Sequence, residues 1–519
     1  MNIVSRLSRT FQNTPQQSCG DEWPEKSFLR GFIPRRKVRD LFSPQYQEAT
    51  GVNPWNGLQY GVSHFRDRER GDTKGVSVRS ASLPGRGRNK GNILGGWLPM
   101  AVVVLVGAVC IYHTPRSLTW PVATIPTLSN TLKHRLYLEV REMNWYWNEG
   151  SWFRRGYLPY LQAPYEYPVL ATALFTFPVL FSDNVVVYHV LFRIILTLSA
   201  LLLLWCIIRR SIPSAHAHLA WLLVLPSALY ATFNRFDIVV ALAVQCSLYA
   251  LYRRRWHAAF ILLAIAILLK WYAGLLFPLY VFVLFDEART REERRRGFAA
   301  MCLGLAFLVV GHVWPLLLNG DLLTMVNPYA IHFVRSPEIG SFMALFGAPF
   351  GKFYSPSYQL EPGNVDGLTA AIVTASSLLQ WAGLVVLLWA LVRRPRRLES
   401  LQALAHAAFI CVGTFILFNR VYSFQWILWF VPFIILTLPT RATVVGVVLY
   451  DVISYIQFPL LYGLFGDAVM VAVFSAFTLV RSALLVVLLL PSFCWLFRSF
   501  QPSSLRVHGD THAYHSAPS

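Results

Sequence analysis

The chain reads as an all-α membrane protein, a polytopic bundle of roughly 11–13 transmembrane or re-entrant helices with two long loops on one side. Three observations predict this class. Of 519 residues, 55% are hydrophobic and only 14% charged, too apolar for a soluble globule of ordinary composition. Apolar runs recur from about residue 93 to residue 497, many of them near the roughly 20 residues that cross a bilayer. Arginine clusters punctuate those runs, the pattern of loops retained on the cytoplasmic side.

Residues 1–92 are polar and basic, without sustained periodicity, and predict a mostly disordered cytoplasmic tail. They hold no early apolar core of a secretory signal, so the first span, 93–113, is expected to stay as an anchor. Further spans are expected near 166–182, 185–208, 218–233, 237–252, 256–270, 272–285, 298–318, 368–392, 401–418, 426–438, 441–463 and 468–497. Residues 93–497 thus form one transmembrane domain, and 498–519 a second disordered tail. No repeat of fixed period runs through it.

Orientation follows from Arg253-Arg-Arg255, the run Arg289 to Arg296, and Arg393-Arg-Pro-Arg-Arg397. With all three in the cytoplasm, the stretch 256–285 must go out and return, turning near Lys270-Trp271-Tyr272. Each arm is short for a full crossing, so the turn is expected within the outer leaflet or a protein-lined cavity. The same logic puts Asn234-Arg-Phe-Asp237 at the outer end of its helix pair. One conflict arises. Arg209-Arg210 falls outside if 166–182 and 185–208 both cross fully, whereas a non-crossing 166–182 repairs the count. Two loops, 114–165 and about 319–367, are then long enough to build a site on the outer face.

Net charge is +20, but most of it sits in the N-terminal segment and in clusters between spans. Topology and anionic headgroups account for that, and no aromatic-basic recognition motif points to nucleic acid. The seven cysteines are scattered without CxxC or metal-ligand spacing and read as small packing residues. No Walker loop, GxGxxG turn or HExxH motif occurs, which argues against ATP-driven transport and nucleotide-cofactor chemistry.

The chemistry-bearing residues gather in the outer loops and at the helix turns. Loop 114–165 offers Glu139, Glu142 and Glu149, followed by Glu166, beside Trp145, Tyr146, Trp147 and Trp152. A carboxylate there can act as a base on a hydroxyl, and aromatic faces pack well on sugar rings. The competing reading is an interfacial aromatic belt with solvated acids. Lys270 ends an apolar helix at membrane depth, where a cation suits a lipid phosphate; snorkelling to the interface is the alternative. Asp237 and Arg235 are read either as site residues or as a pair with each other.

Between two spans lies Asn419-Arg-Val-Tyr-Ser-Phe-Gln-Trp426. Arg420 can fork onto a phosphate, and Tyr422, Ser423 and Gln425 can bond sugar hydroxyls. The second loop adds His332, Arg335 and Glu338, with His332 either an acid/base partner or simply exposed. Arg193, Asp451 and Arg481 lie inside apolar runs without a motif and are expected to pair across the bundle.

Four segments together resemble glycosyltransferase family 87, a branch of the GT-C superfamily of integral membrane transferases. PYEYPVL (164–170), with Tyr167 at its centre, resembles that family's EYPPL or EYPVL helix entry. Asn234-Arg-Phe-Asp237 resembles its NWD-type motif, and Lys270-Trp-Tyr272 its K-x-Y-P turn. FNRVYSFQWILWFVP, Phe418 to Pro432, is similar to its NKVYSPQYLLWLLP segment. The four fall in the family's order over about residues 140–435. Ala273 and Phe424 stand where the family has proline, and Arg420 where it has lysine.

The resemblance implies a GT-C-type bundle and a transferase that takes a hexose, mannose first, from a polyprenyl-phosphate donor on the extracytoplasmic face. A lipid, glycan or protein would be the acceptor, and the anomeric centre would invert. The family's acidic residue of the first outer loop, usually aspartate, corresponds best to Glu142, with Glu139 next. The expected substrate-binding set is Asn234, Asp237, Lys270, Tyr272, Arg335, Arg420, Tyr422, Ser423, Gln425 and Tyr167. No cofactor is required, although a divalent cation bridging phosphate and carboxylate is compatible with the chemistry. The rival reading is a secondary transporter or flippase whose charges line a path.

Overall fold

The computed structural model describes residues 93–119, 140–157, 160, 166–319, 332, 335–350, 366–393, 398–461 and 467–498. Both expected tails and Glu139 lie outside the described residues. Helix α1 is Ile93–Thr119, α2 Val140–Arg154, α3 Val169–Val179 and α4 Val185–Cys206, which runs on into a π-type turn, Ile207–Ser211. A 3-10 stretch, Ser214–Leu223, precedes α5, Pro226–Asn234, and α6, Asp237–Tyr252. Helix α7 is Trp256–Leu269, followed by a 3-10 segment, Trp271–Leu276, α8, Phe277–Glu287, and α9, Arg291–Asn319. The last third holds α10, Gly367–Leu379, α11, Ala382–Arg393, and α12, Leu401–Phe418. It ends with α13, Ile427–Leu436, α14, Arg441–Tyr455, and α15, Asp467–Arg498.

Seven of the described helical stretches are long and apolar enough to cross a membrane, or eight if the bent pair α5–α6 counts as one span. Three shorter apolar helices, Val169–Val179, Trp256–Leu269 and Phe424–Leu436, fill the bundle. The protein is an all-helical, multi-pass integral membrane protein. Among the described residues the other apolar runs are short or broken helices. The expected span 218–233 is one such case. Pro213 and Pro226 bound a 3-10 segment there, and Pro226 opens α5, where proline is tolerated because its missing N–H would be unpaired anyway.

Helix α3 occupies the segment 166–182 over which the count conflicted. Its 11 residues reach about 16 Å, half of a bilayer core. Both ends are held by α2, which is too polar to span. Tyr146 of α2 stacks on Phe175 at 4.5 Å, and Arg154 donates to the Val179 carbonyl at 2.8 Å and pairs with Asp183 at 3.1 Å. Gly150 is the close-approach point, since a Cβ there would lie 2.3 Å from the Phe175 carbonyl oxygen. The segment is therefore a short helix packed on α2 rather than a full-length span.

The consequence is seen at the far end of α4. Cys206 meets Cys246 of α6 at 3.8 Å, and Gln245 donates to Ser211 at 3.3 Å. Arg209-Arg210 thus lies at the same end as Arg253–Arg255. Arg254 in turn joins Glu287 at 2.7 Å and Glu293 at 3.7 Å, adding the Arg289–Arg296 run to that end.

The charges inside apolar runs pair across the bundle with neutral groups rather than with one another. Arg193 is fully buried and donates to the Cys110 carbonyl at 3.3 Å, to Thr114 Oγ1, and to Asn234 Oδ1 at 3.5 Å. Arg481 donates to Gln457 Oε1 and the Gly340 carbonyl and lies over the Tyr422 ring. Asp451 of α14 accepts from the Ser227 and Ala228 N–H groups, both at 2.9 Å, and so caps α5 from outside. Replacing Asp451 with alanine strands two buried donors. It should cost about 1–3 kcal/mol, read as a lower thermal unfolding midpoint in detergent, whereas Arg441→Ala at the exposed start of α14 should change it little.

Candidate functional site

Three helices break at the end of the bundle away from the basic clusters, and each break places ionisable side chains where backbone regularity is lost. The first lies between α5 and α6, whose axes turn through 103°. Arg235 is extended there (φ −138°, ψ 145°), and Asp237 opens α6. Asn234 Nδ2 donates to the Tyr230 carbonyl at 3.0 Å, and Arg235 Nη1 to the Asn234 carbonyl at 3.3 Å, so side chains serve carbonyls left by the break.

The second break is Lys270, extended at φ −158°, ψ 120°, between α7 and the 3-10 turn. The expected turn at Lys270-Trp271-Tyr272 forms here, after a helix of 14 residues, about 21 Å long. The third is Asn419–Ser423, where Asn419 Oδ1 accepts from the Val421 N–H at 2.9 Å in a side-chain-closed turn. A 3-10 turn, Phe424–Trp426, then leads into α13.

Asp237 ties the three together. Its carboxylate is fully buried, and Oδ1 accepts from Lys270 Nζ at 2.8 Å and from Trp429 Nε1, on α13, at 2.6 Å. The carboxylate sits at the N-terminus of α6 and the ammonium at the C-terminus of α7, the ends their charges favour. The Phe236, Trp429 and Tyr167 rings stand 4.8, 5.3 and 5.7 Å from Nζ, a partial aromatic cage. Tyr272 stacks on Trp429 at 3.7 Å with 3° between planes. Asp237 Oδ2 and Tyr272 Oη are buried without a hydrogen-bond partner among the described residues.

The expected pairing of Arg235 with Asp237 does not occur. The 103° bend separates their roles: Arg235 reaches Glu142 of α2 at 3.5 Å and lies over Phe424 at 5.2 Å, while Asp237 turns to Lys270. Glu142 keeps about a third of its side chain exposed. Arg335 pairs with Glu166 at 2.6 Å, just before Tyr167. The Glu338 backbone N–H donates to the Arg420 carbonyl at 2.7 Å, and its carboxylate accepts from the Tyr422 N–H at 3.4 Å, which fastens the second loop to the third break.

His332 sits in this field with its ring 5.9 Å from Trp271. Burial pulls its pKa down to about 4; Glu166 opposes the fall, and Arg335, Lys270 and Arg420 deepen it. Its imidazole is therefore neutral at pH 7. Burial likewise lifts Glu338 to about 8 against the pull of Arg335 and the Tyr422 N–H. Arg335 and Glu166 act on both groups.

Of the sequence-predicted residues, Glu142, Asp237, Lys270, Tyr272, Tyr167, His332, Arg335 and Arg420 converge on this junction. Others are turned to internal duties. Asn234 is held by Arg193 and its own helix, and Tyr422 directs its hydroxyl to Tyr450 and Ser454, both at 3.2 Å. Ser423 donates to Gln425 Oε1. Trp429 went unrecognised. Trp429 lies within the Phe418–Pro432 segment, and the signal was an indole N–H in an otherwise apolar helix, which needs an acceptor when buried. Among the described residues no group of three or more His, Cys, Asp or Glu side chains could hold a metal ion. The chain matches no protein-family model and no curated protein.

Removing one member of the Asp237–Lys270 pair leaves a buried charge alone. Lys270→Met or Asp237→Leu should each cost about 3–5 kcal/mol, and the double variant markedly less than their sum, as read by unfolding in detergent. Glu338 makes a second test. Its folded pKa lies above the ordinary 4.5, so its contribution to stability is complete below about pH 4.5 and is lost as pH rises through about 8. Wild type should lose stability relative to Glu338→Gln over that window, measured as the difference between their unfolding midpoints from pH 5 to 9.

Proposed function

We propose that the protein is a membrane glycosyltransferase that moves a hexose, mannose first, from a polyprenyl-phosphate donor to a lipid, glycan or protein acceptor. The observation that carries the reading is the convergence of Glu142, Asp237, Lys270, Arg335 and Arg420 at three helix breaks on the end opposite the basic clusters. By the positive-inside rule the basic end is cytoplasmic, so this junction faces the extracytoplasmic side. Irregular backbone at membrane depth is tolerated where it is buried in protein or lines a cavity, and ionisable groups there are usually functional. The resemblance to glycosyltransferase family 87 supports the same reading.

In this mechanism a Glu142 oxygen takes the proton of the acceptor hydroxyl. The acceptor oxygen bonds to the anomeric carbon as the carbon–oxygen bond to the lipid phosphate breaks, inverting that centre. The phosphate leaves with the electron pair, and Lys270, Arg335 and Arg420 balance its charge. Neutral His332 beside them can donate a hydrogen bond to sugar or phosphate, and Tyr167 and Trp271 offer faces to the ring. Glu142 suits the base because, unlike fully buried Asp237, it remains partly open.

The test is transfer of labelled mannose from polyprenyl-phosphate-mannose to a membrane lipid extract by protein in detergent. Wild type should form product, and Glu142→Gln and Lys270→Ala should lose at least about 100-fold, the usual scale for a positioned acid–base group. A secondary transporter or flippase would instead move the lipid-linked sugar across vesicles unchanged and tolerate Glu142→Gln better than loss of Lys270.

A further inference from the structure

Cys206 and Cys246 are in thiol contact at 3.8 Å at the basic end of the bundle, far along α6 from Asp237. The contact belongs to none of the chemistry above. Both side chains are half-buried, whereas Cys110 and Cys411 are buried. No other two cysteines are in thiol contact among the described residues. The bond from Gln245 to Ser211, at 3.3 Å, clamps α6 to the turn after α4 beside the pair, so the spacing is set by packed helices.

The spacing has chemical content. Two sulfurs bound to one pyramidal trivalent arsenic must lie at, or just inside, van der Waals contact with each other. The observed separation of 3.8 Å is close to that contact, so the sulfurs need only a small side-chain adjustment to share one centre. We infer that Cys206 and Cys246 form a two-sulfur site for trivalent arsenicals. Among the described residues no third His, Cys, Asp or Glu completes a metal cage there. The fitting ligand is one that needs only two protein sulfurs and brings its remaining substituent itself. Both thiols are presented by fixed elements, so the second sulfur binds intramolecularly and the chelate is far tighter than either single thiol. Occupancy would bridge α4, which carries Arg193, to α6, which opens with Asp237.

Phenylarsine oxide is the probe. Its As–O bond is replaced by two As–S bonds, the two thiol protons leave with the oxygen as water, and arsenic stays trivalent. Full-length protein in detergent should gain one phenylarsenic group in intact mass. Release should occur with 2,3-dimercaptopropanol but not with excess monothiol. Cys206→Ser and Cys246→Ser should each lower retention at least about 100-fold, while Cys302→Ser and Cys494→Ser should not. As a check independent of any variant, the probe should protect Cys206 and Cys246 together from maleimide in peptide maps of the wild type. Retention in either single serine variant, or maleimide labelling of both cysteines unaffected by the probe, overturns the site.

Discussion

The buried ion pair between Asp237 and Lys270 is the interaction on which the junction depends. A helix that stops inside a membrane bundle exposes backbone dipoles with no water to receive them. Here α6 begins and α7 ends at the same place, and the charges sit where those dipoles want them. Trp429 adds α13 to the pair through its indole N–H. Three breaks that would each be costly alone are therefore made compatible by one carboxylate. Taking both charges out of water consumes most of the Coulombic gain, so the pair is better understood as fixing geometry than as adding stability.

The same economy recurs around it. Arg193 holds Asn234 and the end of α1, Asp451 caps α5, and Arg481 gathers Gln457, Gly340 and Tyr422. Each is a buried charge met by dipoles rather than by an opposite charge, and each touches an element that leads into a break. Around the breaks, the ionic contacts divide into pairs of graded exposure. Asp237–Lys270 is sealed, Arg335–Glu166 is mostly covered, and Glu142 stands most open beside Arg235.

Much of this was legible in the sequence because membrane rules act on composition. Short arms around Lys270 announced a turn, and arginine counting left open a non-crossing 166–182. Both follow from length and charge, which need no tertiary knowledge. The pairing scheme was not legible, because Arg235 and Asp237 are two residues apart and only the 103° bend sends them to different partners. Apolar runs such as 218–233 also misled, since a hydropathy window cannot register that Pro226 divides the run between a 3-10 segment and a separate helix. Trp429 escaped for a related reason. An aromatic in an apolar segment is normally packing, and its N–H matters only once an acceptor is known to face it.

The graded exposure of the pairs bears on how such a junction could work. Under the proposed function, a polyprenyl phosphate arriving from the lipid would bring its own negative charge, and Arg235, Lys270 and Arg335 already hold carboxylates. Binding is then an exchange, in which phosphate oxygens replace carboxylate oxygens on a guanidinium or ammonium. The net Coulombic change is small where the displaced carboxylate stays nearby and large where it is freed to solvent or takes up a proton. Arg235, joining Lys270, Arg335 and Arg420 on the phosphate and releasing Glu142, would make the favourable exchange, since Glu142 is the acid best able to regain water. The freed carboxylate would also be the one needed to take a proton from an acceptor hydroxyl. Asp237 cannot follow the same course, because it is sealed and also holds Trp429, so Lys270 would act on the phosphate through its field and its remaining N–H groups while keeping its partner. On this argument the sealed pair is the scaffold and the open pair the working one.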